Sequence, residues 1–108
     1  MKIETISQEE HDILLDIYTS FPALILQNKG YEGLDKSAFT PDEKEAFETV
    51  TNLLKNHIVG FSSFQNFRQK DGKVELRFQY DYNYDNGGLP FTGVGYILLD
   101  ELLNGFGE

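Results

Sequence analysis

The run Asp71-Gly72-Lys73-Val74-Glu75-Leu76-Arg77-Phe78-Gln79-Tyr80-Asp81-Tyr82-Asn83-Tyr84 alternates from its third residue onward. Val74, Leu76, Phe78, Tyr80, Tyr82 and Tyr84 take one parity, and Lys73, Glu75, Arg77, Gln79, Asp81 and Asn83 the other. Side chains in a strand point to opposite faces with a period of two, so the run predicts a half-buried β-strand. Asp71-Gly72 is a type I′ hairpin signal, because both turn positions need positive φ. A regular hairpin around it pairs Phe61 with Tyr82, Ser63 with Tyr80, Gln65 with Phe78 and Phe67 with Leu76. It also sets Arg68 opposite Glu75, a cross-strand ion pair. In this register Phe64 points away from the stripe shared by Phe61 and Phe67.

Upstream the apolar period becomes helical. Ser7 and Glu10 have capping-box spacing, and Ile13, Leu14, Ile17, Phe21, Leu24 and Ile25 follow at three- and four-residue steps. Pro22 lacks an N–H and clashes with the preceding turn, so the helix either kinks there or yields to a second short helix starting at Pro22. Gly30 is a natural stop, and residues 30–40 read as a loop. Thr40-Pro41-Asp42-Glu43 then opens a second helix: Thr40 caps, Pro41 fits the first position and Glu43 completes a capping box. Phe47, Val50, Leu53, Leu54 and Ile58 form its buried stripe, ending at Gly60.

After the strand, residues 85–90 read as a loop. The tail carries Val94, Leu98, Leu99, Leu102, Leu103 and Phe106 at helical spacing, which predicts a helix from about Tyr96. A third strand over Val94–Leu99 is the alternative. The expected architecture is α+β in one domain, residues 1–108: two N-terminal helices, an antiparallel hairpin with its turn at Asp71-Gly72, and a C-terminal helix packed on the sheet.

The 108 residues hold no cysteine, which removes disulfides, thiolate zinc sites and a thiol nucleophile. Met1–Ser7 lacks the apolar core of a signal peptide, and no run of about 18 apolar residues exists, so a cytoplasmic location is the expectation. Eighteen acidic against nine basic residues give a net charge of −9, which repels phosphate backbones and anionic lipid surfaces. Arg68, Lys70, Lys73 and Arg77 are the one basic cluster. Neither nucleic acid nor a membrane is expected as partner; oligomeric state is left open.

No motif supports catalysis, a metal or a cofactor. Asp81-Tyr82-Asn83-Tyr84-Asp85 starts like a calcium loop, but Asn86 and Thr92 stand where Gly and Glu are required. Gly93-Val94-Gly95 lacks the third glycine of a dinucleotide loop, since Leu98 occupies that place. His57 near a helix C-terminus has a sufficient electrostatic role, and metal binding by His11 and His57 needs a tertiary accident. Gly60-Phe61-Ser62-Ser63-Phe64 lacks the closing glycine of a nucleophile elbow. Paired carboxylates at Glu9/Glu10 and Asp100/Glu101 fall on exposed helix positions, where solvated charge is the ordinary role.

Nine Phe and six Tyr without Trp carry the remaining information. Many must be core, but Tyr82 and Tyr84 run toward the loop beside Asp81 and Asp85, a composition suited to a protein-binding surface. The whole profile resembles the small acidic immunity proteins that bacteria encode beside polymorphic or contact-dependent growth inhibition toxins. What carries it is general character, without a mapped motif: one domain of this size, no catalytic set, no cysteine, and carboxylates beside Tyr. The resemblance implies a stoichiometric inhibitor that occludes a basic, usually nucleolytic toxin. The expected contact residues are Asp81, Tyr82, Tyr84 and Asp85, supported by the acidic helix starts Glu9, Glu10, Asp12 and Asp42, Glu43, Glu45. The alternative is a cytoplasmic ligand-binding or accessory domain with an aromatic pocket between helices and sheet, closed by Gly87-Gly88.

Overall fold

Asp71 and Gly72 both adopt positive φ, 52° and 78°, and close a two-residue turn between antiparallel strands. The computed structural model describes residues 3–25, 39–81, 89 and 91–105. The element order is α1 (Gln8–Ser20), a 3-10 turn (Pro22–Leu24), α2 (Pro41–His57), β1 (Phe61–Lys70), β2 (Lys73–Asp81), β3 (Thr92–Leu98) and α3 (Leu99–Asn104). Both expected capping boxes form. Ser7 and Thr40 hydroxyls accept from the Glu10 and Glu43 N–H groups, and the two carboxylates accept in return. At Pro22 the second expectation holds: α1 ends and a short helical turn starts with the proline at its first position. The Gly30 stop and the loop over residues 30–38 lie outside the described residues.

Among the described residues the sheet has three antiparallel strands in the order β1-β2-β3, one more than the expected hairpin. The strand alternative for the tail is the one that forms, and it corrects the helix expected from Tyr96. Gly93, Gly95 and Ile97 point at the core while Thr92, Val94 and Tyr96 point out, and the helical spacing of the leucines is used only by the six-residue α3. The third strand makes β2 central. Consequently the polar stripe of β2 is not solvated as expected: Glu75 and Arg77 are each 6% exposed, and Asn66 beside them 1%. Arg68 reaches Glu75 at 3.7 Å, the anticipated ion pair. The guanidinium carbons of Arg68 and Arg77 lie 4.8 and 5.7 Å from the Tyr96 ring centroid, within cation–π range.

Near the turn the register is the expected one, with Phe67 opposite Leu76 and Arg68 opposite Glu75. Farther out it slips twice. Phe64 faces Phe78 while Asn66 faces Arg77, which leaves Gln65 as an extra residue. Ser63 then faces Gln79, and Phe61 faces Tyr80 rather than Tyr82, with Ser62 extra. Each slip is a β-bulge, which reverses the parity of everything beyond it. Phe61, Phe64 and Phe67 therefore share the core face, and Phe64, expected to point away, is fully buried. Its ring lies 5.2 Å from both Phe47 of α2 and Phe67, and Phe67 lies 5.6 Å from Tyr18 of α1. This aromatic chain, with Leu14, Leu24, Val50, Leu54, Leu76 and Leu102, binds the helices to one face of the sheet.

Candidate functional site

Helices α1 and α2 run antiparallel, because opposite ends of each meet. Glu10, at the start of α1, accepts from His57 Nε2 at 3.0 Å at the end of α2. Ile17 and Phe21, toward the other end of α1, line a hollow of about 220 Å³ with Asp42, Glu45, Ala46 and Thr49 of α2. The floor is apolar, and the Asp42 and Glu45 carboxylates are exposed on its rim. Along α1, Glu9 and Ile13 precede Ile17 at four-residue steps on the same ridge, and exposed Asp16 stands beside them. Among the described residues the Glu9, Asp16, Asp42 and Glu45 carboxylates have no hydrogen-bond or ion-pair partner.

The other nominated carboxylates are used internally. Glu10 accepts the Ser7 N–H at 2.9 Å and also holds His57, while Glu43 accepts the Thr40 N–H at 2.7 Å. The backbone bond from Ser7 is the main reason the Glu10 carboxyl sits below its ordinary value; partial burial opposes it and the His57 bond adds to it. Asp12 accepts from the Gln8 amide at 2.9 Å, which lowers its carboxyl, and lies 3.4 Å from His11 Nδ1. His11 Nε2 in turn lies 3.4 Å from Asp100, linking α1 to α3. Glu10 therefore contributes stability that is complete above the ordinary glutamate value near 4.5 and is lost as pH falls through its lowered folded value. Glu10→Gln keeps the capping geometry but loses the charge. Its denaturation midpoint should fall less than that of the wild type between pH 5 and pH 3, read by urea titration; parallel acid limbs would contradict the assignment.

Asp81, nominated at the strand end, is half-buried. Its carboxylate accepts the Phe91 N–H at 3.1 Å, and its own N–H donates to the Gly60 carbonyl at 2.9 Å. It lines a second hollow of about 570 Å³ with Glu4, Lys55, His57, Phe61 and Thr92. Tyr82, Tyr84, Asp85 and Gly87-Gly88 lie outside the described residues. The structure thus brings Asp42 and Glu45 together over one hollow, while Glu9 stands two turns away at the α1 start, beside the Glu10 that holds His57, and Asp81 lines the other hollow with that histidine. Sequence reasoning missed Asp16 and the apolar floor. Among the described residues no group of three His, Asp or Glu side chains is placed to hold a metal ion, and no helix is long and apolar enough to cross a membrane.

No protein-family model, curated protein or solved structure matches the chain.

Proposed function

We propose that the chain is a non-catalytic protein-binding module whose α1–α2 face holds a basic partner, and specifically an immunity protein that neutralises a basic, nuclease-type toxin in the bacterial cytoplasm. The observation that carries this reading is the hollow of Ile17, Phe21 and Ala46 rimmed by the exposed carboxylates of Asp42 and Glu45, on a chain of net charge −9. An apolar floor supplies burial for an anchoring side chain, and a carboxylate rim raises the encounter rate of a cationic surface. Lysine or arginine satisfies both demands, since its aliphatic stem covers the floor while its head meets the rim.

The test begins with capture of the partner from a lysate of the native organism, followed by association kinetics with the purified pair. Raising salt from 50 to 300 mM should slow association, because steering is screened beyond about 10 Å at 0.1 M. Glu45→Lys should slow it about 10-fold at low salt, whereas Glu4→Lys, the same charge change at the other hollow, should leave it within about twofold. The opposite ranking would move the interface. A second reading, the ligand-binding accessory domain, draws on the 570 Å³ hollow beside His57 and Asp81; an uncharged ligand bound there would be nearly indifferent to salt.

A further inference from the structure

We infer that the free edge of β3 pairs with the β3 edge of a second copy, joining two three-stranded sheets into one antiparallel six-stranded sheet about a two-fold axis. In a two-residue hairpin the residues flanking the turn, Lys70 and Lys73, exchange both backbone hydrogen bonds. Odd-numbered residues of β2 therefore bond toward β1, which the Asp81 N–H bond to the Gly60 carbonyl bears out at the far end. Even-numbered residues then bond toward β3, where Leu76, Phe78 and Tyr80 face Ile97, Gly95 and Gly93. What remains of β3, the N–H and C=O groups of Thr92, Val94 and Tyr96, points away from the sheet. The Leu98 N–H, of the same parity, turns instead to Glu101 Oε1 at 3.4 Å. Among the described residues nothing hydrogen-bonds the outward groups of Val94 and Tyr96. The other sheet edge differs, for β1 has Ile25 bridged beside Phe67.

Unpaired strand edges invite pairing unless charge, proline or a bulge blunts them. This edge has none of these within Thr92–Leu98, and the nearest charges along the chain are Asp85 and Asp100, the ends of its longest uncharged run. Two of the large apolar side chains exposed among the described residues stand on this strand, Tyr96 at 48% and Val94 at 38%, and Phe91, 63% exposed, immediately precedes it. The edge fits a second copy because it is self-complementary. With Gly95 opposite its own counterpart, Val94 of each copy lies opposite Tyr96 of the other, and both pairs exchange backbone hydrogen bonds. That juxtaposes an aromatic and a β-branched side chain twice, a favourable cross-strand pairing. An uncharged strand is also where two molecules of net charge −9 approach with least repulsion.

The test is mass by light scattering and sedimentation as a function of concentration, up to about 1 mM, for the full chain and two variants. Val94→Pro removes an outward N–H and spares the β2 ladder, and Val94→Lys places a charge on the edge. The wild type should reach twice 12.4 kDa, and both variants should remain at 12.4 kDa with unchanged circular dichroism. If Val94→Pro fails to fold, Val94→Lys decides alone. A wild type that stays monomeric throughout overturns the proposal. A dimer that survives Val94→Lys also overturns it, since another surface would then hold the copies together.

Discussion

Replacing Phe64 by alanine is expected to remove about 3–5 kcal/mol of folding free energy, a large part of the roughly 5–15 kcal/mol that holds a small domain together. The side chain is fully buried between Phe47 and Phe67, and its removal leaves a cavity between α2 and the sheet. The size of the effect depends wholly on the bulge at Gln65. In a regular hairpin Phe64 would stand on the outer face, where truncation costs within about 0.5 kcal/mol. A urea titration separates the two cases: a lower midpoint at unchanged slope reports lost core packing. A Phe64→Ala variant as stable as the wild type would show that β1 runs without its bulge.

Gly95→Ala is expected to cost about 1–3 kcal/mol through overpacking. A Cβ on Gly95 would sit 2.7 Å from Phe78 Cζ and 3.0 Å from Cε2, closer than non-bonded carbons approach. The Phe78 ring lies over the glycine and fills the space a side chain would take, as aromatics do over glycines in curved sheets. Relief should therefore come from the ring. In a Phe78→Leu background the same substitution should cost measurably less, with a coupling of about 0.5–3 kcal/mol in a double-mutant cycle. Additive losses would show that the ring does not cover this glycine.

Both effects sit where the sequence is least transparent. The capping boxes, the proline break, the turn and the Arg68–Glu75 pair are local devices, written in adjacent residues, and all form as read. The bulges are not local in that sense. Their one signature is Phe at 61, 64 and 67, a three-residue spacing that a strand can put on one face only by inserting an extra residue at each step. The tail misled for another reason: its inward positions carry Gly93 and Gly95, so the strand parity holds no apolar side chain until Ile97. The leucines of α3 then dominate the pattern.

The carboxylates divide similarly. Spacing already assigned Glu10 and Glu43 to capping boxes, a role that both fill in the structure. That Asp42 and Glu45 border one apolar hollow with Ile17 and Phe21 depends on how α1 lies against α2, and no periodicity within either helix encodes that packing.

The most direct test is the footprint of the captured partner on the isotope-labelled protein, read amide by amide by NMR. Binding through the acidic helical face should perturb Glu9, Ile13, Asp16, Ile17, Asp42, Glu45 and Thr49 and leave the Phe61–Asp81–Thr92 end unchanged. A footprint confined to that end, with α1 and α2 silent, would contradict the proposed interface.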